Sequence, residues 1–310
     1  MKQLSWFGAI ALVTGLGLWG AGLRLPTRVG SELPMPVQTI SPRPEPLEFQ
    51  TISLPQAIVY TLRIPAGGQF VVTPVMSPEL DSLENFARQT GAIAVLNAGF
   101  FDPVNQQSTS YITSGGQRIA DPRQNRRLTE NPDLVPYFAK IFNRSEFRRY
   151  QCGDSWRYGL AQHQESPPQD CQLVDAVGAG PRLLPSTTLE QEGFTATVKG
   201  RLIRDAIGST QPNARSAIGL MADGSLLWVM VAQKSEAPES SGFTLAELTD
   251  FLRSRGAVAA INLDGGSSSA LYYQGKTTYG KVNSQGDRVR RRVKSVLLLK
   301  QTTTPESGMP

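Results

Sequence analysis

Two stretches of this chain spell nearly the same string, and each follows a helical pattern. Gly91-Ala92-Ile93-Ala94-Val95-Leu96-Asn97 and Gly256-Ala257-Val258-Ala259-Ala260-Ile261-Asn262 both run from a helix-stopping glycine through five apolar residues to an asparagine. Ahead of the first, Leu80, Leu83, Phe86 and Ala87 recur at helical spacing over Pro78 to Thr90. Ahead of the second, Leu245, Leu248, Phe251 and Leu252 form the apolar stripe, and Thr244 with Glu247 spells a capping box. The chain is thereby constrained to two helix–strand units, each releasing a loop from the carboxyl end of a buried strand. The loops are Ala98-Gly99-Phe100-Phe101-Asp102 and Leu263-Asp264-Gly265-Gly266-Ser267-Ser268-Ser269. Read as an internal pseudo-repeat, they converge on one cleft, because ligands commonly bind outside the carboxyl ends of strands. Chance likeness of two alanine-rich strands is the alternative.

The second loop describes a site more readily than a turn. A hairpin needs two residues with positive φ, whereas here a carboxylate is followed by two glycines and three hydroxyls. Such a loop suits an anionic, oxygen-rich ligand.

Around these units the pattern is mostly strand. Residues 57–64 and 70–75 read as an opening pair about Gly67-Gly68, and residues 216–221 and 226–231 as a hairpin turned by Asp223-Gly224. Residues 271–273 and 277–279 form another about Gln274-Gly275, and 293–299 a closing strand. Val174 to Leu184 has core character and includes the tight passage Gly178-Ala179-Gly180-Pro181. Residues 105–170, rich in Arg, Gln, Asn and Pro, read as an elaboration with a short helix over 133–143. The expectation is an α+β fold, a mixed sheet with packed helices, as one catalytic domain over residues 56–300 with a disordered tail at 301–310. At 310 residues and 40% apolar composition a sizeable core is available.

Residues 4–23 are uncharged and apolar, with Lys2 before and Arg24 after, so residues 1–25 read as a signal peptide or a membrane anchor. Residues 26–55 hold seven prolines among polar residues and read as an extended linker. An extracytoplasmic location follows, periplasmic or secreted, with residues 4–23 holding the chain to the membrane if they are not cleaved. Cys152 and Cys171 then read as a disulfide, a free-thiol role being the alternative.

The net charge of +5 gathers in clusters at Arg123, Arg126 and Arg127, at Arg144, Arg148 and Arg149, and from Arg288 to Lys294. These read as solvated faces or as contacts for a phosphorylated or anionic glycan, and an exported chain does not meet nucleic acid.

The residue set excludes much chemistry. The single histidine, His163, reads as a solvated loop residue, so a Ser-His-Asp hydrolase or a multi-histidine zinc enzyme is hard to build. No phosphate-binding or dinucleotide glycine motif follows a strand, so no cofactor is expected. A divalent metal at Asp264 or Asp102 stays open. Carboxylates, arginine, hydroxyls and backbone amides remain. They suit reaction at a phosphate-linked sugar, where a carboxylate works at the anomeric carbon and arginine holds phosphate oxygens. Arg215, ahead of the Ser216 strand, is the expected anchor, a surface strand-end arginine being the alternative.

Four ordered motifs, Asn97-Ala98-Gly99-Phe100-Phe101, Gly178-Ala179-Gly180-Pro181, Ala214-Arg215-Ser216-Ala217-Ile218-Gly219 and Asn262-Leu263-Asp264-Gly265-Gly266-Ser267-Ser268, resemble the phosphodiester glycosidase family over residues 56–300. The resemblance implies a mixed α/β domain and hydrolysis between a sugar's anomeric carbon and a phosphodiester. It places Asn97, Gly99, Phe100, Phe101, Arg215, Asp264, Gly265 and Gly266 at recurring family positions. Ala98, Ser216 and Ser267 depart from the glycine, threonine and glycine expected there, which implies a different sugar pocket. On this reading Asp264 is the catalytic carboxylate, with Asp102 second, although either could brace its loop instead. Arg215, the Gly265 and Gly266 amides, and the Ser267 and Ser268 hydroxyls bind phosphate. Asn97, Ser216 and Asn262 line the substrate cleft, and Phe100 and Phe101 pack or stack on sugar. The competing reading is a non-catalytic module for anionic envelope polysaccharide.

Overall fold

The strand Leu226–Ala232 is buried at every position, so protein must cover both of its faces. Side chains alternate along a strand, and the two sets enter different cores. Trp228, Met230 and Ala232 join Leu62, Ile218 and Ile261 against Leu96, Leu297 and Leu299 of a second sheet. Leu227, Val229 and Val231 face outward onto Leu245, Leu248 and Leu252 of the helix Leu245–Ser254. The closing strand Val293–Gln301 divides in the same way. Leu297 and Leu299 point inward, and Val296 and Leu298 meet Leu83, Phe86 and Ala87 of the helix Leu83–Thr90. The result is two sheets packed face to face with one helix on each outer face.

The computed structural model describes residues 45–302. Residues 4–23, the linker residues 26–44 and the tail 303–310 lie outside the described residues. Among the described residues no helix is long and apolar enough to cross a membrane.

The six-stranded sheet runs, edge to edge, Glu48–Ser53, Ile58–Ile64, Leu226–Ala232, Arg215–Met221, Ala257–Asn262, Arg182–Leu184. A five-stranded sheet runs Lys276–Tyr279, Ala270–Tyr273, Ala94–Asn97, Val293–Gln301, Phe70–Asp81. A third runs Gln117–Ala120, Ile112–Ser114, Cys171–Gly178, Ser145–Cys152, Ser155–Gln162, and Thr195–Val198 pairs with Arg201–Asp205. Every pairing is antiparallel. The expected mixed sheet is therefore corrected to antiparallel sheets with few helices. Adjacent strands are joined by hairpins or cross between sheets, without the crossover helix that parallel neighbours need.

Several boundaries move for physical reasons. The strand Glu48–Ser53 lies inside the stretch read as linker and pairs with Ile58–Ile64. Residues 57–64 and 70–75 do not pair with each other, because their strands belong to different sheets. The expected helix from Pro78 starts only at Leu83, where the Ser82 hydroxyl accepts from the Asn85 amide, 3.3 Å. Pro74 and Pro78 instead lie on the edge strand of the five-stranded sheet, where a missing donor is tolerated. Residues 105–170 hold most of the third sheet, and Cys152 and Cys171 are joined across it as a disulfide. The two helix–strand units lie in different sheets with different neighbours, so their likeness stops at the local string.

Candidate active site

The loop after Ala257–Asn262 is laced to both sheets by backbone and one buried side chain. Leu263 N–H donates to Ser216 O at 2.8 Å and Asp264 N–H to Ala98 O at 2.9 Å. Asn97, fully buried, donates from Nδ2 to Asp264 O at 2.6 Å. Its Oδ1 accepts from Ser216 Oγ at 2.6 Å and from the Ala270 amide at 3.1 Å. Gly266 N–H donates to Ala214 O at 2.8 Å. Gly266 has φ +60°, and a Cβ on Gly265 would stand 3.3 Å from Ala214 O, so both glycines are needed to lay the loop on the 213–215 segment. The loops after Asn97 and Asn262 thus converge, as expected.

At the top of this loop stands Asp264. Its Oδ1 accepts from the Gly265 amide at 3.0 Å, and the Ser268 hydroxyl is a second donor. Burial pushes its carboxyl up to about 6, against the pull of Ser268, the Gly265 amide and the charge of Arg291. Part of the residue stays open to solvent. A carboxylate held near neutrality is suited to proton transfer at physiological pH.

Arg291 is the cation at this carboxylate. Its NH1 donates to Ser267 Oγ at 3.2 Å, its guanidinium lies 5.2 Å over the Phe101 ring, and its buried Nε has no partner. On the other flank of the glycines, Lys281 Nζ donates to Asn213 Oδ1 at 3.1 Å, and Asn213 lies beside Gly266. Burial lowers the Lys281 pKa, and Arg215 adds to the effect. Arg291 also lines a groove of about 470 Å3.

Other expected site residues have different work. Arg215 is buried and directs its guanidinium to four carbonyls: Phe243, 3.0 Å; Ile207, 3.0 Å; Gly208, 2.6 Å; Gln211, 2.9 Å. It ties down the 207–211 segment rather than binding phosphate, and burial pushes it down to about 10 despite Asp205. The Gly265 and Gly266 amides are spent on Asp264 and Ala214, which corrects the expected phosphate contact. Asp102 is likewise a brace. Its Oδ1 accepts from the Val104 amide at 2.7 Å, and its Oδ2 accepts from Arg127 Nε at 2.9 Å. Burial works to raise its pKa, but these donors outweigh it and the carboxyl is lowered.

Ser216 and Asn262 are buried beneath the loop, Asn262 Nδ2 donating to Gly180 O at 2.9 Å and Leu263 O at 2.8 Å. Gly99 fits against Ser110, and Phe100 packs on Phe194 with ring centroids 5.7 Å apart. His163 is not solvated: it stacks on Tyr111 at 3.5 Å and its Nδ1 lies 2.7 Å from Glu146 Oε1.

Among the described residues no three His, Cys, Asp or Glu side chains group as a metal site. A cavity of about 800 Å3 beside Trp156, Tyr158 and Leu220 lies at the Gly224 end of the Arg215–Met221 strand, away from Asp264. Sequence reasoning missed Arg291, Lys281 and Asn213. Arg291 had a signal in the Arg288 to Lys294 cluster, and Lys281 had none.

A family model for phosphodiester glycosidases matches residues 90–300. The chain belongs to the phosphodiester glycosidase family. Bovine N-acetylglucosamine-1-phosphodiester alpha-N-acetylglucosaminidase is 25% identical over 229 residues, 70% of this chain and 38% of that protein's length. The catalytic domain of the zebrafish enzyme of that name, auto-inhibited by its pro-peptide, has a similar fold. Its TM-score is 0.58 at 16% identity, over 83% of each chain. A Burkholderia pseudomallei protein aligns with TM-score 0.56 at 16% identity, over 78% of this chain and 74% of that one. Ala98, Ser216 and Ser267 lie at or beneath the Asp264 loop, where Ser267 receives the Arg291 bond.

Proposed function

We propose that this chain is an exported hydrolase that cleaves the glycosidic bond of a sugar-1-phosphodiester, with Asp264 as its proton-transfer group and Arg291 as its phosphate anchor. The observation that supports this most is the Asp264 carboxyl, raised to about 6 beside Ser267, Ser268 and Arg291 on a loop held by both sheets. The disulfide and a bovine relative named for phosphodiester hydrolysis support export and substrate class.

In the proposed step, Asp264 takes a proton from water as the water oxygen bonds to the anomeric carbon. The electron pair of the breaking carbon–oxygen bond moves to the phosphate, which leaves as a phosphomonoester. That dianion is a weak base, with a second pKa of about 6, so no second carboxylate is needed to protonate it. Arg291 and the Ser267 hydroxyl meet the charge that develops on the phosphate oxygens. Phe101, beneath Arg291, fixes the guanidinium plane. Asn97 acts as a positioning residue by holding the loop, and Arg215 by tying down the 207–211 segment next to it.

The test is release of free sugar from a panel of sugar-1-phosphodiesters, including α-N-acetylglucosamine-1-phosphate esters, by the full chain. Turnover lost in Asp264→Asn, with the fold intact, supports the reading. No turnover on any diester by the folded wild type ends it and leaves the glycan-binding module.

A further inference from the structure

The groove that begins at Arg291 extends beyond the reacting bond. It holds about 470 Å3 and is lined by Arg290, Arg291 and Arg292 together with Glu79, Leu80 and Gln106. Gln106 belongs to the loop that Phe101 opens, so groove and site share two elements, the arginine strip and that loop. Arg290 and Arg292 are exposed, and among the described residues none of the three arginines forms an ion pair.

In the other basic clusters most arginines are paired by the protein itself, Arg144 being held instead by the Glu192 carbonyl. Arg123, Arg126 and Arg127 pair with Asp121, Glu130 and Asp102. Arg148 and Arg149 pair with Glu146 and Asp175. In the groove the sole carboxylate is Glu79, which lies in the field of Lys294, and the Lys294 Nζ donates to Pro78 O at 2.5 Å. All three arginines line this groove without an ion pair to the protein, and the buried Nε of Arg291 has no hydrogen-bond partner. An anion in the groove supplies the counter-charge that the protein does not.

We infer that the groove is a subsite for an aglycone carrying a second phosphate, so that the substrate is a polyanion rather than a simple diester. This rests on the sugar-phosphodiester reading above. Arg291 grips the scissile phosphate, and the substituent beyond it crosses to Arg290 and Arg292, where a further phosphate replaces the missing protein carboxylates. Guanidinium suits this work because it offers paired donors to phosphate oxygens.

The experiment compares two substrates on the full chain: the glyceryl diester of α-N-acetylglucosamine-1-phosphate, and the same diester with a terminal phosphate on the glycerol. Wild type is expected to prefer the phosphorylated substrate by about tenfold in kcat/KM, with the preference falling to about twofold in about 0.5 M NaCl. The double variant Arg290→Gln/Arg292→Gln should lose the preference while keeping kcat on the unphosphorylated diester. Equal use of both substrates by wild type, or a preference that survives the double variant, overturns the subsite. If wild type cleaves neither diester, the glycosidase reading fails instead, and the groove is read directly by calorimetric titration of glycerol bisphosphate. Binding by wild type that the double variant loses then supports the groove, and equal or no binding overturns it.

Discussion

The loops after Asn97 and Asn262 are built from the same materials and put to opposite uses. Each follows a buried strand, presents an aspartate and has an arginine near it. At Asp102 the carboxylate is closed by the Val104 amide and an ion pair to Arg127, so it is held charged. At Asp264 the nearby arginine turns to Ser267 and Phe101 instead, and burial outweighs the donors that reach the carboxylate. A carboxylate becomes a candidate catalyst when its cation is directed past it toward the ligand.

The largest expected effect is at Asp264. Asp264→Asn should lower kcat on a sugar-1-phosphodiester by on the order of 1,000-fold, whereas Asp102→Asn should leave kcat within about threefold. Comparable losses in both variants would dissolve the contrast. Next come the two arginines: Arg291→Ala should cost on the order of 100-fold in kcat/KM, and Arg127→Ala almost nothing, in the same sugar-release assay.

The electrostatic half of the comparison is read by pH. If Asp264 acts as a base, kcat/KM climbs as pH rises through about 6 and then levels, and a falling limb there would make it an acid. Stability runs the other way. A carboxyl raised from 3.8 to about 6 in the folded state contributes its full share below 3.8 and loses it as pH rises through about 6. Asp264→Asn should therefore melt higher than wild type at pH 7.5, by at most about 3 kcal/mol, and show no such gain at pH 3. For Asp102, whose pKa is lowered, the sign reverses: Asp102→Asn should melt lower at neutral pH, by about 1 kcal/mol, with the deficit closing in acid.

Much of the scaffold was legible. Leu226–Ala232 declares burial on both faces, Thr244 and Glu247 form the capping box their spacing predicts, and Asp223-Gly224 turns its hairpin. The third sheet was hidden because its strands interleave buried charged residues with the apolar ones, such as Phe147 and Val177, that reach the core. Glu146 and Arg148 pair in the interior, Arg149 meets Asp175, and the strand reads as a solvated loop. The sequence singles out the Asp264 loop as a feature but not the bonds of Arg215, since the carbonyls that consume its guanidinium come from segments whose approach no local pattern encodes. Arg291 lies outside any regular element, where periodicity gives no bearing.

Asn97 also fixes when this protein can work. Its side chain spans 167 residues to Asp264 and 119 to Ser216, both carried by the other sheet, so those two bonds exist only once the two sheets have docked, while the third, 173 residues away at Ala270, joins neighbouring strands of its own sheet. Loop closures that long come late in folding, after local hairpins have formed. A nascent or partly opened chain therefore has no assembled Asp264 loop, and the closing of that loop marks the completed molecule.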